Sequence, residues 1–111
     1  QAHLKYMVEQ YRLRRDYVMR RISEIPGLSC HAPAGTFYAF IDISQLGMPC
    51  EEFAMKLLEE RQVVVVPGTA FGEFGEGYIR LSYATSMQCL EQGLQELEEF
   101  VRSHKTEGDP A

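Results

Sequence analysis

Residues 63–84 constrain the fold of this 111-residue chain more than any other stretch, because an apolar run, a glycine-rich loop and a second apolar run follow one another. The β-branched residues 63–66 are typical of a buried strand. Pro67 and Gly68 are expected to end that strand, since proline donates no hydrogen bond to a sheet ladder and glycine accepts turn geometry. Residues 78–84 then resume an extended pattern. The stretch predicts two strands joined by a sharply bent loop.

Arg80 is the unusual residue of the second strand. Period-two alternation places its side chain on the sheet face opposite Ile79 and Leu81. An arginine is rarely buried without a partner. Spacing alone leaves three interpretations open. The guanidinium could bind a ligand carboxylate, form an internal ion pair with Asp42, or reach solvent over an open sheet face.

The rest of the chain predicts an α/β domain of the sandwich type, in the order α-β-α-β-β-α. We expect a small mixed sheet of about three main strands covered by helices, with strand 78–84 between the other two and antiparallel to both. Residues 1–105 form the domain, and the polar residues 106–111 form a disordered tail. The predicted helices and strands are helices 2–25, 51–62 and 87–103, a short extended piece at 28–32, and strands 36–43, 63–66 and 78–84.

Composition excludes several classes of function. The net charge of -5 argues against binding to nucleic acid or to a membrane surface, which requires a basic face. No apolar run approaches the length of a membrane span. The three cysteines are isolated from one another, which predicts reduced thiols in a cytoplasmic protein. The histidines and cysteines show no metal-ligand spacing, so no metal site is expected.

The glycine-rich loop is a weak candidate for phosphate binding. It lacks the Gly-Lys-Ser/Thr ending of a phosphate loop, and Glu73 and Glu76 would repel an anion. A mobile loop bordering a site is the better interpretation. No lysine lies between Lys56 and Lys105, and adjacent glutamates on a helix diverge around its axis. The residues alone therefore show one candidate anion site, at Arg80, and no complete catalytic set.

Three sequence motifs carry a resemblance to a known family. Residues 65–72 read Val-Val-Pro-Gly-Thr-Ala-Phe-Gly, and residues 78–84 read Tyr-Ile-Arg-Leu-Ser-Tyr-Ala. Residues 33–42 contain the pattern proline-x-glycine-x-phenylalanine-tyrosine, and residues 11–16 are followed by Ile-Pro-Gly-Leu at 25–28. The first two motifs resemble strands of the class I/II pyridoxal-phosphate-dependent aminotransferases, the aspartate-aminotransferase-like family of fold type I, and the third resembles the helix that leads into the small domain of that family.

The resemblance implies the C-terminal small domain of such an enzyme, starting inside the interdomain helix. The family moves an amino group between an amino acid and a 2-oxo acid, using pyridoxal phosphate, and is expected to be a homodimer. Arg80 matches the family's arginine that binds the substrate α-carboxylate. The Schiff-base lysine and the cofactor-binding residues belong to the large domain. We therefore expect no catalytic or cofactor-binding residue here, no bound cofactor and no activity from this segment alone.

Two alternatives remain at this point. The chain could be a free-standing α/β module that binds an amino or oxo acid through Arg80. It could also be a structural oligomerisation domain, in which Arg80 would have no part in catalysis. A helix that begins at residue 2 without a capping residue favours an excised piece of a longer chain over either of these alternatives.

Overall fold

The computed structural model describes residues 2–30 and 38–108. Three long helices, a four-stranded sheet and three short 3-10 turns make up this part of the chain. The helices are α1 (Ala2–Ser23), α2 (Cys50–Arg61) and α3 (Met87–Gly108), and the strands are β1 (Ser29–Cys30), β2 (Tyr38–Asp42), β3 (Val66–Pro67) and β4 (Tyr78–Ser82). The 3-10 turns are Ser44–Leu46, Gly68–Phe71 and Glu73–Gly75.

The sheet has the order β1-β2-β4-β3, and every neighbouring pair is antiparallel. The predicted α/β class is confirmed, and so is the position of β4 between β2 and β3 and antiparallel to both. Strands β2 and β3 consequently run in the same direction without touching. The short extended piece predicted at 28–32 pairs as a fourth strand. The predicted bend at 33–35 and the first residues of the principal strand lie outside the described residues.

The valine run forms much less strand than its composition predicts. Gln62 adopts a left-handed conformation with φ 59° and ends α2, and the Val63 N–H still donates to the Leu57 carbonyl at 3.5 Å. These valines therefore lead away from a helix end, and pairing starts only at Val66. Pro67 is the last residue of β3, where it pairs with Ile79, and Gly68 begins a 3-10 turn, so these two residues end the strand as expected. Because β3 is an edge strand, its outer side needs no N–H donor.

The two faces of the sheet have different surroundings. Helices α1 and α2 pack on one face, where Ala39 and Ile41 of β2 and Ile79 and Leu81 of β4 are buried. Helix α3 packs on α1 and α2, and the rings of Phe53 on α2 and Phe100 on α3 meet edge-on, 5.1 Å between centroids. The other face of the sheet carries partly exposed side chains. The core thus lies on one side of the sheet, and the other side is open.

Helix α1 is buried only along its second half. Apolar residues at helical spacing form one stripe along α1. In this stripe Val18 and Ile22 are fully buried, and Ile25 follows them into the core just beyond the helix. Leu4 and Val8 belong to the same stripe, yet they are 63% and 55% exposed. The stripe therefore continues past the end of the core that it covers.

Helix α3 begins where the sequence predicts and ends later. The Ser86 hydroxyl accepts the Cys89 N–H at 3.1 Å, so Ser86 caps the start of the helix, as serine commonly does. The helix continues to Gly108, so residues 106–108 of the predicted tail are helical, and 109–111 lie outside the described residues. Beyond the predicted end at residue 103, His104 of α3 packs on the Phe100 ring and forms a hydrogen bond with Glu60 of α2 at 2.8 Å. The contact between α3 and α2 therefore extends to His104.

The three cysteines, all within the described residues, form no disulfide, and they occupy three different environments. Cys50 is buried in the core, Cys30 is half-buried and Cys89 is exposed. Burial raises the pKa of the Cys30 thiol, which disfavours its reactive thiolate form. Within the described residues, no helix has both the length and the apolar composition needed to cross a bilayer.

Candidate functional site

Arg80 lies at the centre of the open face of the sheet. In the strand register it stands between Phe40 of β2 and Val66 of β3. Its side chain is half-buried, whereas its sequence neighbours Ile79 and Leu81 point into the core. The predicted alternation of side chains along β4 therefore places Arg80 on the sheet face opposite α1 and α2.

Two aromatic rings contact the guanidinium of Arg80. Its Cζ lies 4.1 Å from the centroid of the Tyr38 ring and 4.2 Å from that of the Phe71 ring. Each such contact contributes about 0.5–2 kcal/mol, so the two rings help to position the group. A guanidinium carries its hydrogen-bond donors along its edge. A planar acceptor such as a carboxylate matches that edge.

The internal ion pair considered from the sequence does not form. Asp42 accepts hydrogen bonds from the N–H and the hydroxyl of Ser44, at 2.8 and 2.6 Å, in the turn that follows β2. No salt bridge joins Arg80 to any carboxylate of the described residues. Its Nε atom is buried and has no hydrogen-bond partner among the residues that the structure describes. The cation is therefore positioned by aromatic contacts, and its charge is not neutralised within the described residues.

The loop that supplies Phe71 is closed by a contact between two glycines. A Cβ at Gly68 would overlap the carbonyl group of Gly75, and a Cβ at Gly75 would overlap that of Gly68. No other amino acid fits either position without moving the backbone. The contact brings together the two short 3-10 turns of the loop, and Phe71 is the last residue of the first turn.

Glu76 attaches this loop to α2. Its Oε2 accepts the backbone N–H groups of Cys50 and Gly77, both at 2.9 Å. Pro49 occupies the N-cap position of α2 and offers no side-chain cap, so a carboxylate from 26 residues away satisfies one of the free N–H groups at the helix end. The Thr69 hydroxyl also donates to the carboxylate of Glu51 at 2.8 Å.

Sequence reasoning missed this role of Glu76. The available signal was Pro49, since a helix start without Ser, Thr, Asp or Asn has to find its cap elsewhere. The arrangement also supplies a physical reason against phosphate binding by the loop, because the Glu76 carboxylate already occupies the start of α2. The expected mobility of the loop stays a prediction.

An aromatic surface continues beyond Arg80. The rings of Phe40 and Phe71 meet edge-on with centroids 6.0 Å apart, and both are about half exposed. Phe74, at the far end of the loop, is 91% exposed. A cation among exposed rings suits a ligand with a carboxylate and an apolar part, or a covering protein surface.

The lysine side chains that the structure describes do not face Arg80. Lys56 lies on α2, which packs on the covered face of the sheet, and forms an ion pair with Glu52 at 3.1 Å. Lys5 is exposed on α1. These residues do not supply a Schiff-base lysine to the open face, so they do not fit pyridoxal phosphate as a covalent site. Within the described residues there is also no cluster of three or more metal-ligating side chains.

The chain is similar over most of its length to known aminotransferases. It is 50% identical over 100 residues to YugH of Bacillus subtilis, whose name calls it an aminotransferase, and 44% identical over 99 residues to an aspartate aminotransferase of Pyrococcus horikoshii. These matches cover 90% and 89% of this chain, and 25% of each relative. The chain therefore spans about a quarter of the length of the curated relatives it matches.

A solved structure agrees with the sequence match. The aromatic aminotransferase of Pyrococcus horikoshii superimposes with a TM-score of 0.89 at 38% identity, over 94% of this chain and 28% of that one. Residues 1–97 match the family described as aminotransferase class I and II. The chain therefore belongs to the class I and II aminotransferase family.

Proposed function

We propose that this chain is the C-terminal small domain of a pyridoxal-phosphate-dependent aminotransferase, and that Arg80 binds the α-carboxylate of the amino acid or 2-oxo acid substrate. The observation that carries the proposal is the guanidinium in contact with the Tyr38 and Phe71 rings on the open face, with no carboxylate of the described residues paired to it. A cation prepared in this way suits a carboxylate that both substrates of a transamination carry.

The binding geometry follows from the shape of the guanidinium. Its edge presents parallel N–H donors that match the two oxygens of a carboxylate, and such charge-assisted pairs are stronger than neutral hydrogen bonds. The two aromatic rings in contact with the guanidinium displace water from part of its surface, which lowers the local dielectric and strengthens the pair. Both substrates thus enter with the carboxylate end fixed and the 2-position held at one distance from Arg80.

The amino transfer itself requires groups that these residues do not supply. In this family pyridoxal phosphate accepts and returns the amino group, and the resemblance assigns its lysine and its phosphate-binding residues to the large domain. The lysines described here lie on α1 and α2 and do not face Arg80. The proposed contribution of this chain is therefore substrate binding, with the large domain as its partner and no transamination by the chain alone.

Substitution of Arg80 in the complete enzyme that contains this chain tests the proposal. Arg80→Ala is expected to raise KM for both the amino acid and the 2-oxo acid and to lower kcat/KM about 100-fold or more, because it removes a partner of a desolvated charge pair. Arg80→Lys is the matched variant, since it keeps the charge and loses the planar fork, and an intermediate kcat/KM is expected. Unchanged kinetics for Arg80→Ala would refute the carboxylate role and favour a structural domain.

Calorimetry of the 111-residue chain alone separates the domain from a free-standing binding module. The exposed rings beside Arg80 form only one side of an enclosing pocket, so titration with a dicarboxylate such as succinate is expected to release no measurable heat. Saturable binding that Arg80→Ala abolishes would instead favour the module. Transamination by the chain with added pyridoxal phosphate would contradict the predicted inactivity.

A further inference from the structure

We infer that Glu76 is a positioning residue for substrate binding: its carboxylate ties the loop of residues 68–77 to the start of α2 and so holds Phe71 against Arg80. This inference rests on the proposed function, because it concerns how the carboxylate-binding geometry of Arg80 is maintained. Glu76 itself lies in the loop and would not touch the substrate carboxylate, so its effect has to pass through the ring that covers the guanidinium.

The first step is the attachment of the loop to a rigid element. Glu76 Oε2 accepts the N–H of Cys50 in the first turn of α2 and the N–H of Gly77 in the loop, both at 2.9 Å. Cys50 is itself fully buried, so the attachment point belongs to the core. A carboxylate at a helix N-terminus is additionally stabilised by the free N–H groups and the dipole there. One side chain therefore fixes the end of the loop relative to the core.

The second step is that contacts within the loop fix the position of Phe71. The Gly68–Gly75 contact holds the two 3-10 turns together, and Phe71 ends the first of these turns, so its position depends on the position of the loop. Thr69, two residues before Phe71, is also tied to α2 through Glu51. The Phe71 ring then lies with its centroid 4.2 Å from the Arg80 Cζ. Glu76 and Arg80 are thus linked by a short series of direct contacts.

The third step concerns what would be lost without the tether. Phe71 is about half exposed, and its described ring contacts are Arg80 and Phe40. Those contacts alone are weak, whereas a hydrogen bond to a charged group is among the stronger interactions in a folded chain. Loss of the tether would let the ring leave the guanidinium, which would then sample more orientations and bind a carboxylate less tightly. The substrate-binding step should suffer more than the chemical step.

The test compares variants of the complete enzyme that contains this chain by steady-state kinetics. Glu76→Ala is expected to raise KM for the amino acid about tenfold while kcat changes by less than about threefold. Glu76→Gln is the conservative variant, because an amide oxygen can accept the same two N–H groups, and KM within about threefold of the wild type is expected. Glu59→Ala, an exposed change on α2, should leave both constants unchanged.

Amide hydrogen exchange of the same variants supplies a readout that does not depend on activity. Faster exchange confined to residues 68–77 and the first turn of α2 in Glu76→Ala, and its absence in Glu76→Gln, would support the tether. Exchange that rises across all helices with KM unchanged would show a merely stabilising role and overturn the inference. If Glu76→Ala does not fold, Glu76→Asp, whose shorter side chain cannot reach both N–H groups, should show the same rise in KM.

The outcomes separate this inference from the proposed function. If Arg80→Ala raises KM and Glu76→Ala does not, the positioning role of Glu76 is wrong and carboxylate binding by Arg80 stands. If neither substitution changes KM, both proposals are wrong. A KM effect for Glu76→Ala that Glu76→Gln fails to reverse would also count against the tether, because the hydrogen bonds would then not be its basis.

Discussion

The two faces of the sheet are built from alternate residues of the same strands, yet they have opposite properties. On the covered face, Ile41 and Ile79 are completely buried against the helices. On the open face, Tyr38 and Phe40 are 38% and 46% exposed; Tyr38 contacts the cation Arg80, and Phe40 is its register partner. Apolar residues occupy both faces, so composition does not distinguish them. The difference lies in what covers each face.

Neighbouring residues of one strand therefore have different roles, one contributing to stability and the next to a binding surface. Residues of the covered face exclude water and contribute most of the burial energy. Residues of the open face keep large rings near water, which costs stability and leaves a surface that can bind. Substitutions on the two faces should therefore affect different measurements.

The largest expected difference in stability is between alanine substitutions at two neighbouring residues that lie on opposite faces of β4. Ile79→Ala should lower the free energy of unfolding by about 2–5 kcal/mol, because it leaves a cavity in the core. Arg80→Ala should change it by about 1 kcal/mol or less, since its cation–π contacts are partly offset by removal of a buried unpaired Nε. Denaturant unfolding of the two variants makes the measurement. Equal losses would contradict the division of the faces.

A second effect concerns the loop that borders the open face. Gly75→Ala should destabilise the chain by about 1–3 kcal/mol, because the added methyl group would overlap the Gly68 carbonyl and force the backbone apart. Gly93→Ala on α3 is the matched control, since nothing lies within 4 Å of the position where its Cβ would stand. That change should stabilise the helix by about 0.5–1 kcal/mol. Thermal unfolding of both variants would reveal the opposite signs.

The smallest effect tests the helix layer behind the covered face. Arg21 of α1 holds the pKa of Glu98 on α3 below its usual value, with a further contribution from Arg102. The unfolded chain takes up the proton first as pH falls, so the stabilisation is complete above about pH 4.3 and is lost as pH falls through the lower folded pKa. Glu98→Gln should remove this pH dependence and cost about 1 kcal/mol or less near neutrality.

Urea unfolding between about pH 2 and pH 7 measures the effect of Glu98→Gln. Glu91→Gln, an exposed change on the same helix, serves as the control, and its stability should follow the wild type across the range. If wild type and Glu98→Gln lose stability in parallel on acidification, the Arg21–Glu98 pair does not link the helices energetically.

Much of the fold could be predicted because the local sequence pattern agrees with the packing in the folded chain. The alternation of β4 predicts both its faces, and Ser86 predicts the start of α3, because each depends on neighbours in sequence. The prediction of a strand at residues 63–66 is largely wrong because a high β propensity shows only that side chains fit a sheet surface. It does not provide a neighbouring strand to pair with. Only Val66 and Pro67 find one, at the edge beside β4.

The candidate site also has one residue that the sequence reveals and several contacts that it does not. Arg80 is conspicuous in the sequence because a cation interrupts an apolar strand. The Tyr38 and Phe71 rings that enclose it come from 42 and 9 positions away, and no spacing rule joins them. The link between Glu76 and the start of α2 is equally distant in sequence, although the missing cap at Pro49 hints at it.

By itself the sequence determined which residues alternate, where two helices begin or end, and which cation stands apart from the apolar pattern. Its motifs also carried the resemblance to the aminotransferases that the comparisons bear out at the level of the family. Only the tertiary structure decided which face of the sheet stays open, what holds Arg80, and which carboxylate caps α2. The reason is physical: periodicity is a property of one element, whereas burial and partnership depend on elements that meet only after the chain has folded.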